Sequence, residues 1–125
     1  MKATTVTLEL LLGLIAACLC VQLPLAKSQP YPDPPWTLDS AVVRTLEAKI
    51  LMPGGAQRIE AYTRYYEPGY DNGRRIVFGV LTANGDKQIH TSGNLPIILD
   101  GGCSVVKLAF DVAASQMMYI ACGGR

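Results

Sequence analysis

The chain of 125 residues is poor in the side chains on which most enzymes depend, with one histidine, one tryptophan and four cysteines. No His-Glu-x-x-His helix or Gly-x-Ser-x-Gly turn accompanies His90, and one histidine with two widely spaced cysteines offers too few ligands for zinc. We therefore expect no metal, no cofactor and no enzymatic activity. The alternative is a small hydrolase in which His90 is the general base for Ser92 or Ser104.

The chain also lacks an excess of charge of either sign. Nine basic and nine acidic residues follow Ser28, so the net charge of that segment is zero. Nucleic-acid binding depends on a basic stripe, and binding to a membrane surface uses a basic amphipathic helix. The sequence contains neither, and we expect no nucleic-acid partner.

A long apolar run occurs only near the amino terminus, at residues 10–17, after a basic start. It is typical of an export signal and is shorter than the roughly 20 residues of a transmembrane helix, so we expect no membrane span. The small residues Ala26 and Ser28 predict cleavage before Gln29. Residues 1–28 would then be a signal peptide, and the mature protein would be periplasmic or secreted.

A second interpretation of the amino terminus is a lipoprotein signal. Residues 15–18 resemble a bacterial lipobox, in which Cys18 would carry the lipid that anchors the chain to a membrane. The segment that follows Cys18 is apolar, whereas a lipoprotein usually continues with a polar tether. The sequence leaves both cleavage sites open and favours the soluble form.

Four prolines in residues 29–36 predict an extended arm that ends at Trp36. Such an arm would either pack Trp36 on the domain or bind a proline-recognising partner. The rest of the chain, residues 37–125, is long enough for one domain.

An amphipathic helix is predicted over residues 37–51, where apolar side chains recur at every fourth position. Thr37 or Asp39 would cap its start, and Pro53 with two glycines would end it. The residues of the apolar stripe are Leu38, Val42, Leu46 and Ile50.

Strand patterns follow the helix. Residues 58–66 alternate in a way that favours a strand, although Ile59, Tyr62 and Tyr66 would also share one face of a helix. Residues 67–73 resemble a turn, and residues 74–82 resemble a central strand. Residues 95–99 are apolar, but Pro96 restricts them to an edge strand or a packed extended segment.

A hairpin is predicted for residues 103–110 and 116–122. Pairing Phe110 with Ser115 would place Cys103 directly opposite Cys122, close enough for a disulfide bond that stabilises the fold by about 3 kcal/mol. The disulfide would lie on the sheet face away from the helix. The same register gives the opposite face three apolar residues to cover the helix: Val106, Leu108 and Phe110.

These elements predict an α+β fold in which one amino-terminal amphipathic helix packs on a curved antiparallel sheet of four or five strands. The outline is similar to the cystatin-like and nuclear-transport-factor-like folds, by topology alone. The inhibitory motifs of cystatins are absent, because residues 88–93 are one residue too long for the first loop and Trp36 is the only tryptophan. No cystatin residue is assigned a role.

A binding surface is predicted from tyrosine and arginine, which combine apolar area with directed hydrogen bonds and are frequent at recognition hot spots. Two groups of residues near the first strand have this character: Tyr62, Arg64 and Tyr66, and then Tyr70, Arg74 and Arg75. We expect a non-enzymatic binding or inhibitory module that recognises a protein or a small ligand. The alternative is a structural or accessory protein of the cell envelope, anchored through Cys18.

Overall fold

The computed structural model describes residues 34–124, so the predicted signal peptide, Cys18 and most of the proline-rich arm lie outside the described residues. The described part is an α+β domain with one α-helix and a five-stranded mixed sheet. Its elements are α1 (Ser40–Ala48), β1 (Thr63–Asp71), β2 (Arg74–Thr82), β3 (Ile89–His90), β4 (Val105–Asp111) and β5 (Gln116–Cys122), with short 3-10 helices at Ile59–Ala61 and Gly102–Ser104. Within residues 34–124, no helix has the length and hydropathy that a membrane crossing requires.

The strands are arranged in the order β3-β1-β2-β4-β5. The antiparallel sheet is confirmed for β1, β2, β4 and β5, which form a continuous antiparallel array. The prediction of a purely antiparallel sheet is wrong for β3, because this strand pairs in parallel with Arg64 and Tyr65 of β1. The chain reaches this edge through the loop after β2, which brings it back alongside the start of β1.

Helix α1 begins after Asp39, whose carboxylate accepts a hydrogen bond from the Val42 backbone N–H at 2.9 Å. This cap satisfies one of the free amides of the first turn. Val43 and Leu46 are the buried residues of the helix, and Leu38 is buried just before it. The helix is shorter than the predicted range of residues 37–51. Val42, which was predicted to lie in the apolar stripe, is only partly buried at the margin of the core.

Strand β1 begins five residues later than the predicted strand, because residues 59–61 form a 3-10 helix closed by the Tyr62 N–H and the Ile59 carbonyl. The strand then continues through Pro68, where a turn was predicted. Proline is tolerated there because β3 covers only the start of β1, so that at Pro68 no other strand of residues 34–124 pairs with the outer edge of β1. The turn itself is Asn72-Gly73, whose two positive φ angles of 51° and 75° suit a two-residue hairpin.

The disulfide bond between Cys103 and Cys122 is confirmed, with a Cα–Cα distance of 4.5 Å. The predicted register is wrong, since Cys122 lies opposite Val106 instead of Cys103. Cys103 belongs to the 3-10 helix before β4. The turn of this helix places the Cys103 side chain near Cys122 at the end of β5. The register also changes between Ala109 and Phe110, where β5 carries one extra residue.

This register places the disulfide on the helix side of the sheet, contrary to the prediction. Successive side chains of a strand point to opposite faces, so a three-residue shift moves Cys122 to the other face. Both sulfur atoms lie near the Gly54 carbonyl oxygen, at 3.7 and 3.9 Å, beneath the segment that follows α1. The neighbouring Gly55 has a φ of 88°, a conformation that favours glycine.

The core lies between α1 and the sheet. Val106, Leu108 and Phe110 of β4 face the helix as predicted and pack with Leu46. Two tyrosines, Tyr62 and Tyr66, are fully buried in the same cluster. The opposite face of the sheet has no helix in the described residues.

Candidate functional site

The first predicted group of binding residues lies mainly in the core. The Tyr62 hydroxyl donates to the Cys103 carbonyl oxygen at 2.6 Å and accepts from the Gln57 N–H at 3.1 Å. The Tyr66 hydroxyl donates to the Glu47 carboxylate at 2.7 Å. Buried tyrosine is stable when its hydroxyl has a partner, and here both hydroxyls do. Tyr62 and Tyr66 were predicted to belong to a binding surface, but in this fold both side chains are buried in the core.

Arg64 joins the same buried network. Its Nη1 atom donates to both oxygens of Glu47, at 3.1 and 3.3 Å. The Nε atom of Arg64 is buried and has no hydrogen-bond partner among the described residues. Burial raises the pKa of Tyr66, and the hydrogen bond to the Glu47 carboxylate raises it further. The tyrosine is therefore a neutral donor that helps to hold a helix carboxylate against the sheet.

The second predicted group holds the residues that precede α1. The Tyr70 hydroxyl donates to the Pro34 carbonyl, and the Arg75 guanidinium lies 5.5 Å from the centroid of the Trp36 ring. The Trp36 indole N–H in turn donates to the Gly69 carbonyl at 2.9 Å. These contacts fix Trp36 on β1, in agreement with an arm that packs on the domain.

Arg74 is the remaining predicted binding residue. It forms a 2.9 Å ion pair with Asp111, whose side chain is almost fully buried. The structure therefore divides the six residues between the core and the end of the β1–β2 hairpin. Binding by Tyr70, Arg74 and Arg75 stays a prediction.

His90 lies on the edge strand β3. Its Nε2 atom is 2.9 Å from the Asp86 carboxylate, and its ring stacks on Tyr65 with 5.0 Å between centroids. The hydrogen bond with His90 lowers the pKa of Asp86. The Ser104 hydroxyl, one of the two proposed nucleophiles, donates to the Gly101 carbonyl. Residues 34–124 contain no group of three or more His, Cys, Asp or Glu side chains that could hold a metal ion.

A groove of about 680 Å³ lies on the sheet face opposite α1. We call it the sheet groove. Side chains of four strands line it, namely Glu67, Phe78, Val80, Lys107 and Tyr119, and residues 94–99 line it from the loop that joins β3 to β4. The sequence did not predict this site, although it predicted that residues 95–99 form either an edge strand or a packed extended segment.

The strand register determines how the lining side chains are arranged. Glu67 pairs with Phe78, Phe78 with Ala109, and Ala109 with Tyr119, so these residues form one row across β1, β2, β4 and β5. Val80 and Lys107 pair in a neighbouring row, two residues along the strands. Ala109 is small and buried, which leaves space between Phe78 and Tyr119.

Most of the lining is apolar, and the apolar side chains at its edge are open to solvent, whereas Val80 in its floor is buried. Ile97 and Leu99 are 90% and 82% exposed, and Tyr119 is 52% exposed. Isolated apolar residues are normal on protein surfaces, but several that line one concave site are typical of a binding surface. Among residues 34–124, the sheet groove is therefore a concave apolar surface whose edge is left uncovered.

Several polar groups of the sheet groove have no protein partner in the described part of the chain. Glu67 and Lys107 form neither a salt bridge nor a side-chain hydrogen bond there, and the Tyr119 hydroxyl forms no hydrogen bond. No backbone hydrogen bond joins residues 91–100 to another described residue. An apolar site with a few free polar groups is what a small-molecule or peptide ligand requires.

The sequence contains a weak signal for this site. Residues 95–99 are five consecutive residues without charge, and Pro96 prevents them from joining the interior of a sheet. An apolar segment that is excluded from the sheet can instead line the side of the sheet, as residues 94–99 do here. No known family, curated protein or solved structure matches this chain.

Proposed function

We propose that this protein is a non-enzymatic binding module that holds an apolar ligand in the sheet groove. The observation that supports the proposal most directly is a concave site of about 680 Å³ that is rimmed by Ile97 and Leu99. Ligand pockets usually have volumes of about 300–1,000 Å³ and a mostly apolar lining with a few polar groups. The sheet groove meets both conditions.

The fold provides a rigid floor for such a site. Helix α1 covers one face of the antiparallel array β1-β2-β4-β5, and the core on that side holds the strands in place. The resemblance to cystatin-like and nuclear-transport-factor-like folds inferred from the sequence rests on this outline alone, a helix followed by antiparallel strands, and the parallel strand β3 departs from it. In our proposal the strands supply the floor, and residues 94–99 form one wall.

We also propose that the protein works outside the cytoplasm, either in the periplasm or after secretion. The disulfide bond supports this location, because such bonds persist mainly in oxidising compartments. Attachment through Cys18 is the alternative. Mass spectrometry of the mature amino terminus separates the two, since a free terminus near Gln29 supports the soluble form and a lipidated Cys18 supports the anchored form.

The binding proposal predicts that Ile97→Asn weakens the binding of an apolar fluorescent dye, such as anilinonaphthalene sulfonate, about fivefold. Covering part of an isoleucine side chain contributes roughly 1 kcal/mol, which corresponds to that factor. Equilibrium fluorescence titration of the folded protein measures the change.

A matched control is Leu51→Asn. Leu51 is 83% exposed, much like Ile97, but it does not line the sheet groove. We expect this variant to bind the dye like the wild type. Equal losses in the two variants, or no loss in either, would contradict binding in the sheet groove.

A further inference from the structure

Two opposite charges flank the apolar floor of the sheet groove. Glu67 is on β1 and Lys107 is on β4, with β2 between these strands. Neither side chain has an ionic partner among the residues that the structure describes. Oppositely charged groups that line one site without contacting each other are complementary to a ligand that carries both charges.

The register gives the separation of the two charges. Two strand spacings amount to about 9.6 Å, and the offset of two residues along the strands adds about 6.7 Å in the perpendicular direction. The Cα atoms of Glu67 and Lys107 are therefore roughly 12 Å apart. Phe78 and Val80 lie on the strand between them, so the middle of the ligand must be apolar.

Backbone groups at the wall narrow the choice of ligand. Residues 94–99 carry N–H and C=O groups that form no backbone hydrogen bond with other described residues, except that Pro96 has no N–H. A peptide in extended conformation presents complementary groups, as in the addition of a strand to a sheet edge. A fatty acid or a sterol carries a polar group at one end only and cannot pair with a row of backbone groups.

From these features we propose that the sheet groove recognises short apolar peptides through both of their charged ends. An extended chain advances about 3.3 Å per residue, so three residues bring the terminal ammonium near Glu67 and the terminal carboxylate near Lys107. The proposal rests on the proposed function, because it assigns a ligand class to the same groove.

The test uses trileucine as the probe, with its amino-acetylated and carboxyl-amidated forms as matched ligands. On the wild-type protein, blocking either end weakens binding about fivefold, the upper range for a partly exposed ion pair. Isothermal titration calorimetry at low salt measures the dissociation constants. The comparison of ligands on one folded protein does not depend on the folding of a variant.

Two variants assign each end of the peptide to a residue. Glu67→Gln removes the effect of acetylation and keeps that of amidation, whereas Lys107→Met does the reverse. Glu60→Gln is the control, because Glu60 pairs with Arg58 on the exposed surface and does not line the groove. This variant behaves like the wild type with all three ligands.

The possible failures are distinguishable. If blocked and free trileucine bind equally well, recognition of the charged ends is overturned and binding in the groove survives. If no peptide binds while the apolar dye does, the peptide proposal is overturned in the same way. If neither peptide nor dye binds, both the inference and the proposed function fail.

Discussion

Tyr66 lies beneath α1, where its hydroxyl and the Arg64 guanidinium both donate to the Glu47 carboxylate. A carboxylate in a partly buried position needs such donors, because its desolvation is costly unless hydrogen bonds replace those of water. The three residues come from the helix and from β1. They therefore fasten the helix to the sheet by polar contacts as well as by apolar packing.

Replacing Tyr66 by phenylalanine is predicted to lower the free energy of unfolding by about 2 kcal/mol near neutral pH. The change removes one hydrogen bond to a charged group and leaves Glu47 with fewer donors. Urea denaturation measures the difference. Tyr119→Phe is the control, because the Tyr119 hydroxyl has no partner in the described part of the chain, and its effect should be close to zero.

The same variant tests the raised pKa of Tyr66. An unfolded tyrosine ionises at a pH of about 10, whereas burial keeps the folded tyrosine neutral above that value. The resulting stability is fully present below pH 10 and falls by about 1.4 kcal/mol per pH unit above it. Between pH 10 and 11, wild type should lose stability faster than Tyr66→Phe. Parallel losses would show that Tyr66 ionises equally in both states.

Local patterns predict which residues of β1 share a face but not which face is buried. The alternation correctly groups Tyr62, which lies just before β1, with Arg64 and Tyr66, yet both faces of the strand contain polar atoms. The buried face is the one on which each tyrosine hydroxyl finds a hydrogen-bond acceptor. For Tyr62 it is the Cys103 carbonyl, 41 residues away in the sequence, which no local pattern reveals.

In the β4–β5 hairpin, local sequence patterns also predict some features of the structure and not others. The cysteine count predicts the disulfide, and the alternation of Val106, Leu108 and Phe110 predicts the face that meets the helix. The register depends on a 3-10 helix at Cys103 and on the extra residue opposite Ala109 and Phe110. Both features interrupt the two-residue repeat of a strand, so the alternation of apolar and polar residues in the sequence does not predict them.

The disulfide is predicted to stabilise the domain by about 3 kcal/mol, because it restricts the unfolded chain between two cysteines that are 19 positions apart. Urea unfolding of wild type with and without a thiol reductant measures this contribution. The double variant with serine at positions 103 and 122 should match reduced wild type and show no response to reductant. An unchanged unfolding midpoint after complete reduction would contradict the prediction.

At the scale of the domain formed by residues 34–124, the main consequence of the fold is that these residues cover the two faces of the sheet unequally. Helix α1 covers one face, where Leu46 and the two buried tyrosines complete the core. Residues 94–99 line a groove on the other face, and Ile97 remains exposed. Helix and strand periodicity predict the α+β class, but the groove depends on the path of a loop that has neither period.

The most direct test of the proposed site is a map of backbone amide chemical shifts during titration with trileucine. We predict that the largest changes occur in the sheet groove, at Phe78, Val80, Lys107 and Tyr119 and in residues 94–99. Changes concentrated at Tyr70, Arg74 and Arg75, at the opposite end of the β1–β2 hairpin from Thr63, would contradict it and would favour the tyrosine and arginine surface instead.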